Sequence, residues 1–448
     1  MASEKQYIDL YRNQRALLEA HSCAAINGKR EAAAALLEAK GLPTKKVERY
    51  KYTNAEVAFA PDYGLNLNRT LPNNDPYRAY HCNVPNMSTS LYYVVNDVVC
   101  SSEGKVGVLP QGVIVDSINR VAAQHPELIE KYYHKAANYE YDGVTELNTL
   151  LVQDGLFVYI RAGVHLECPI QLVNVSTARG DLMSNRRVLV VAEEGAQGAL
   201  LFCDHAEGAV RYLTTQVVEV FVADHAKVDL YSIEETNDRN VRFNNLYVEQ
   251  QKDSHVSYNG MTLHNGLTRN RMDFRMLGEG STVNTYGAVI ADKEERVDNS
   301  IVVEHVAPSC TSDMLYKYVL DGKSEAAFAG KVLVQEGAQK SLSEQTNANL
   351  CVSPDARAYS QPMLEIYADD VKCNHGSTVG KLDESALFYM CQRGIEEKEA
   401  RLLLQHAFIN DVIQHVEMES LRERLANLVE LRFRGELTKC KACKMCKS

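Results

Sequence analysis

The chain has no tryptophan. That weighs against a groove reading sugar rings by indole stacking, although its 24 tyrosines could substitute. No apolar run approaches the roughly 18 residues that a membrane-crossing helix needs. The opening Met1-Ala2-Ser3-Glu4-Lys5 leads into a polar helical pattern, not the apolar stretch of a signal peptide. The expectation is a cytoplasmic protein with no membrane partner. The phosphate-cradling loop G-x-x-x-x-G-K-[ST] is missing as well. The run Gly376-Ser377-Thr378-Val379-Gly380-Lys381-Leu382 is one residue short and carries Leu382 where the magnesium-binding hydroxyl belongs. No nucleotide site and no ATPase activity are therefore expected. Neither a G-x-S-x-G elbow nor an H-E-x-x-H helix occurs. Positive charge is short too: 48 Lys and Arg face 59 Asp and Glu, a net charge of -11, which disfavours nucleic acid by long-range electrostatics.

What is present is an ordinary globular composition, 45% hydrophobic and 24% charged over 448 residues, enough for two or three domains. Helical spacing comes first, with Tyr7, Leu10, Tyr11, Leu17 and Leu18 on one face. A second helix, rich in alanine and leucine from Arg30 to Lys40, stops at Gly41 with Pro43 beyond. The stretch Asp116 to Leu151 is helical again, with Pro126 opening a new helix. After Gly155 the texture changes to short β-rich runs, LFVYI (156–160), RVLVVA (187–192) and VVEVFVA (217–223). Turn centres fall near Ala196, Ala226, His255, Ser281, Cys310 and Ala338, at intervals of 30, 29, 26, 29 and 28 residues. A period of that size is the mark of a solenoid, in which no unit buries its face alone. The rival is an irregular antiparallel sandwich. Helical spacing returns at Asp383, an N-cap before Leu387 and Phe388, with Gly394 as a stop. Three domains are expected: a mostly helical one over 1–155, a solenoid core over 156–378, and a helical one with a Cys-rich tail over 379–448.

Two places carry chemistry. Cys373 and His375 sit two apart where the last β run gives way to helix, so on a strand they share a face. A thiolate and an imidazole together can ligate a thiophilic metal, but two ligands are not a full site. The blander alternative is a strand end whose histidine satisfies backbone groups. In the tail, Cys440, Cys443 and Cys446 have the C-x-x-C-x-x-C spacing of zinc and iron–sulfur ligands, with lysines between that favour thiolates. Three cysteines at a chain end with no hairpin to hold them equally suit a disordered basic tail. Cys203 and Cys351 read as small buried hydrophobes, and His165, His255 and His264 as structural. The acidic run Asp292 to Glu295 reads as a solvated turn.

Four segments then resemble one family. They are PTKKVERYKYTN (43–54), ELNTLLVQDGLFVYIRAGV (146–164), VEHVAPSCTSDMLYKYVLDGKSEAAFAGKVLVQEGAQKSLSEQTNANL (303–350) and QPMLEIYADDVKCNHGSTVGKLDESALFYMCQRGI (361–395). They are similar to the SufB/SufD family of iron–sulfur cluster assembly scaffolds, and LEIYADDVKCNHG leans to its SufD branch. The resemblance implies a mainly β protein, a right-handed parallel β-helix flanked by N-terminal and C-terminal helical domains. It implies a non-catalytic scaffold of the SUF system that pairs with a SufB-like protein through the β-helix. It also implies docking of a SufC-like ATPase on the C-terminal helices, where Phe388, Tyr389, Arg393 and Gly394 are the candidate contacts. His375 matches the histidine that the family ties to a transient iron–sulfur cluster at the SufB interface. The Cys-rich tail departs from the family pattern, and a homodimer of the isolated chain stays open. Two other classes compete: a β-solenoid enzyme, which would need acid/base residues grouped in a groove, and an ATPase-regulating adaptor without a cluster role.

Overall fold

The computed structural model describes residues 3–71, 75–80, 87–101 and 109–437. From Leu156 to Gly380 the chain alternates between two sheets, each of ten strands, and every neighbour along the axis is parallel. Sixteen of those strands, Leu156–Ile160 to Lys372–Gly380, make eight coils of a parallel β-solenoid. Lys227 lies opposite Gln197 on one side and His255 on the other, giving coil lengths of 30 and 28 residues. Alternate side chains enter the lumen, as a strand's two-residue period demands. Val228, Leu230, Val256 and Val283 from one sheet meet Val220, Leu246, Phe274 and Val303 from the other in a single core.

The period read in the sequence is the period of one corner. Gly195, His225, Asp253, Gly280, Ser309 and Lys340 take left-handed backbone angles, φ between 50° and 73°. Each donates its N–H to the carbonyl of the next coil, for example His225 to Lys252 at 2.8 Å and Ser309 to Gln339 at 2.8 Å. Those inter-coil bonds offset the roughly 1–2 kcal/mol that a non-glycine residue costs there. Behind each corner sits a small buried residue: Ala196, Ala226, Ser254, Ser281, Cys310 and Ser341.

The region before Leu156 is less purely helical than its sequence suggests. Ser90–Val95 joins the second sheet beside Ile170–Ser176, and Val113–Ser117 pairs antiparallel with Leu156–Ile160. These strands cap the first coil. The LYYVV run alternates its burial between two cores, Tyr92 and Val94 in one and Tyr93 and Val95 in another, which a helical reading misses. The helices Glu4–Ala20, Ala24–Lys40 and Gly143–Leu151 cover the outer face of the first sheet. Leu18, Leu37, Leu147 and Leu150 pack there on Met183, Leu213 and Phe243. Gly41, at φ 70°, ends the second of these helices. The outer face of the second sheet takes Glu397–Ile413 and Glu419–Phe433, through Ile409, Val412, Ile413 and Leu425 against Ile233, Met261 and Ile290.

Two expectations need correction. The acidic run at 292–295 is not a solvated turn: Glu295 is 2% exposed, accepts from Arg432 at 2.7 Å and contacts His264 Nδ1 at 2.7 Å. Cys203 is buried as expected, whereas Cys351 is half-buried because one coil alone lies beyond it. Among the described residues no disulfide is formed, and no helix is long and apolar enough to cross a membrane.

Candidate functional site: the open end of the solenoid

The strands Arg357–Ile366 and Lys372–Gly380 terminate the two sheets, each hydrogen-bonded to a neighbour on one side alone. Their far edges present rows of backbone donors and acceptors, the feature that templates pairing with another strand. The two strands also touch each other, Ser377 Oγ lying 2.6 Å from Ser360 Oγ. Around this end Ile366 (40%), Tyr367 (58%) and Val379 (56%) leave apolar surface exposed.

Cys373 and His375 both lie on the last strand, opposite Ser343 and Gln345 of the preceding coil. Ser343, Gln345 and Asn347 are buried members of the lumen-facing row. Cys373 and His375 therefore continue that row, as their two-residue spacing predicts. Cys373 is half-buried against the solenoid core, and burial pushes its thiol up, away from the thiolate that ligates best. His375 is exposed, because no further coil covers it. No third described Cys, His, Asp or Glu joins this pair within ligating distance. Cys440, Cys443 and Cys446 lie outside the described residues. The Gly376–Gly380 part of the loop-like run is strand, its backbone extended and paired to Thr346–Leu350.

Four residues beyond Gly380 the helix Glu384–Gln392 begins, capped by Asp383 Oδ1, which accepts the N–H groups of Ser385 (2.8 Å) and Ala386 (3.2 Å). Phe388 (66%) and Tyr389 (58%) stand exposed on it. Arg393 donates to the Tyr389 hydroxyl at 2.8 Å, and its guanidinium lies 5.1 Å from that ring. Gly394, at φ 85°, ends the helix. Two exposed aromatics held by an arginine form a compact contact patch on a short helix.

Comparison with known proteins matches this architecture. The description "SUF system FeS cluster assembly, SufBD core domain" fits residues 174–408, and "SufBD protein N-terminal region" fits residues 1–172. The chain belongs to the SufBD family. An iron–sulfur cluster assembly SufBD family protein of Synechocystis is 27% identical over 413 residues, 90% of each chain. The iron–sulfur cluster assembly protein SufD of Bacillus subtilis is 24% identical, covering 88% of this chain and 92% of its own. SufD of Escherichia coli is 26% identical over 284 residues, 59% of this chain and 67% of its own. The family is one of SUF-system cluster assembly, and the fold expected from it, a parallel β-solenoid between two helical regions, is the fold observed. Sequence reading missed the exposed rim of Ile366, Tyr367 and Val379, because nothing in a repeat announces which coil is the last.

Proposed function

We propose that this chain is a non-catalytic scaffold subunit of the cytoplasmic SUF machine, pairing end to end with a SufB-like solenoid through its last coil. The observation that carries the reading is the difference between the two ends. The first coil is closed by Val113–Ser117 and by the hairpin of Ser90–Val95 with Val98–Val99. The last coil ends in two uncovered strands with an apolar rim. A matching solenoid adds strands to both edges at once, by main-chain pairing. Without that partner a second copy of this chain offers similar edges, which supports homodimers of the isolated protein.

His375 then lies at the seam, with Cys373 behind it as co-ligand or packed thiol. The nascent iron–sulfur cluster is held there transiently, as cargo. Neutral imidazole is a borderline ligand for iron, and weaker hold suits a cluster that must leave. A SufC-like ATPase docks on the C-terminal helices through Phe388, Tyr389 and Arg393. The test is anaerobic co-expression with SufB-like and SufC-like partners, followed by iron and sulfide analysis. His375→Ala should leave the complex assembled and β-rich but lower its cluster content. Equal cluster content in both would reject the role of His375, and failure to assemble would make the residue structural. The half-buried, protonation-prone Cys373 favours a second reading, an adaptor that regulates the ATPase without holding a cluster. Unchanged cluster yield with altered ATPase turnover would select it. For the tail, changing Cys440, Cys443 and Cys446 to serine should lower bound metal or persulfide, and unchanged content would make the tail inert.

A further inference from the structure

A second group of ligand-type side chains lies far from the open end, under the C-terminal helices. Lys227 and Asp229 are two residues apart on the strand Lys227–Glu235, and the core residues Val228 and Leu230 alternate with them. Both therefore face outward. His255 stands opposite Lys227 on the next coil. Glu417 reaches the same spot from the link between Glu397–Ile413 and Glu419–Phe433. Ligand atoms of Asp229, His255 and Glu417 all lie within 4.8 Å of one another, the one such group among the described residues.

The cluster carries a mark of incompleteness. Asp229 is 9% exposed, and its Oδ1 has no hydrogen-bond partner. Leaving a buried carboxylate oxygen so costs on the order of 1–3 kcal/mol. The Lys227 ammonium sits 2.7 and 2.9 Å from the two Glu417 oxygens but 3.6 Å from Asp229 Oδ2. One positive charge thus faces two carboxylates, and it serves Glu417 better than Asp229. Burial pushes the Asp229 carboxyl up to about 6, with Glu417 adding to the rise against the pull of Lys227. Burial also lowers the His255 imidazole, which leaves it neutral and able to offer a lone pair.

We propose that Asp229, His255 and Glu417 bind one divalent first-row transition cation, which displaces the Lys227 ammonium and ties the C-terminal helices to the solenoid. One imidazole and two carboxylates, with no thiolate, suit zinc, ferrous iron, cobalt or manganese. The Lys227 side chain is 32% exposed and has solvent to swing into. Two ligands come from successive coils and the third from the helical region, so the cation fixes the link at Glu417 against the sheet.

The test uses the full chain with Cys440, Cys443 and Cys446 changed to serine, so that tail thiolates do not compete. Co2+ is the probe, followed by equilibrium dialysis and visible absorption. The expected result is one Co2+ per chain with d–d bands and no sulfur-to-cobalt charge transfer. His255→Ala and Glu417→Gln should each weaken binding by at least about tenfold. Lys227→Met, which removes the competing ammonium, should tighten it. Absence of stoichiometric binding overturns the proposal, as does an affinity unmoved by His255→Ala or weakened by Lys227→Met. The opposite direction of the Lys227 variant separates ligand loss from general destabilisation.

Discussion

Arg187 and Glu219 provide the sharpest test of how the N-terminal region is held to the solenoid. They stand on adjacent strands, Leu182–Ala192 and Tyr212–Val222, with Arg187 Nη2 2.7 Å from Glu219 Oε2 and both side chains 0% exposed. Glu219 also accepts the backbone N–H groups of His134 (2.9 Å) and Ala137 (3.1 Å). Arg187 donates to Asn148 Oδ1 and Thr149 Oγ1, both at 3.3 Å, and lies 4.7 Å from the Tyr133 ring. Every partner outside the pair belongs to the N-terminal region, so the pair is a pin through that interface. Glu219→Leu strands a buried guanidinium, which costs about 3–5 kcal/mol. It also leaves two N–H groups without an acceptor, at about 1–3 kcal/mol each where they stay dry. Arg187→Leu strands the carboxylate at a similar cost. The double variant removes both charges and should recover much of the loss, giving a coupling energy of at least about 2 kcal/mol. Urea unfolding followed by far-UV circular dichroism measures all four proteins. Single effects that add to within about 0.5 kcal/mol would show that the two charges do not depend on each other, and the pin would be refuted.

Other predictions come from burial and packing. Burial pushes the Glu146 carboxyl up to about 7 from an ordinary 4.5, and its Oε2 lacks a partner. A raised carboxyl penalises the folded state once pH exceeds the unfolded value, in full above about 7. Glu146→Gln should therefore stabilise at pH 8 by up to about 3 kcal/mol, with the gain fading toward pH 5; a difference constant with pH sinks the idea. In Gly287→Ala the new Cβ would lie 2.2 Å from Tyr316 Cε1, a ring 1% exposed, and overpacking should cost about 1–3 kcal/mol in a urea melt. Wild-type stability there would mean that Tyr316 can yield. Phe388→Ala with Tyr389→Ala should leave the fold intact and weaken capture of a SufC-like ATPase by at least about tenfold, as loss of exposed aromatic anchors does at an interface; unchanged capture moves the docking patch elsewhere.

The corners were legible in the sequence because each coil must spend a left-handed residue and a small buried one at the same place. The sequence reading centred two corners on His255 and Ala338, where the buried small residues are Ser254 and Ser341. At the latter the corner is longer, running from the end of Glu325–Val334 to Leu342. Helix ends were legible at Gly41, Asp383 and Gly394, where local backbone chemistry decides the outcome. Strand membership of 90–95 and 113–117 was not, because these segments pair with chain 40 or more residues away and precede the period. The fate of Glu295 depends on Arg432, which no local rule could bring to it. At the site, the shared face of Cys373 and His375 followed from spacing alone. Their exposure did not, since it depends on where the coils stop.

The way the coils stop has its own logic. Lys372 lies opposite Leu342, a coil of 30 residues, so the winding is undisturbed up to its last strand. A corner bond from Lys340 to Asp370 still forms, in step with those before it. The last coil is thus built as a template for another rather than frayed into a terminus. On the proposed pairing, a partner coil stacked in register encloses the lumen-facing row, His375 included, while Lys372 and Asn374 stay on the outer face. A ligand on that row is shielded from water when the solenoids join and is open to it when they part. A ligand on the outer face would be shielded in neither state. The same reasoning distinguishes His375 from His255, which is covered by helices of its own chain and would hold a cation whether or not a partner is present.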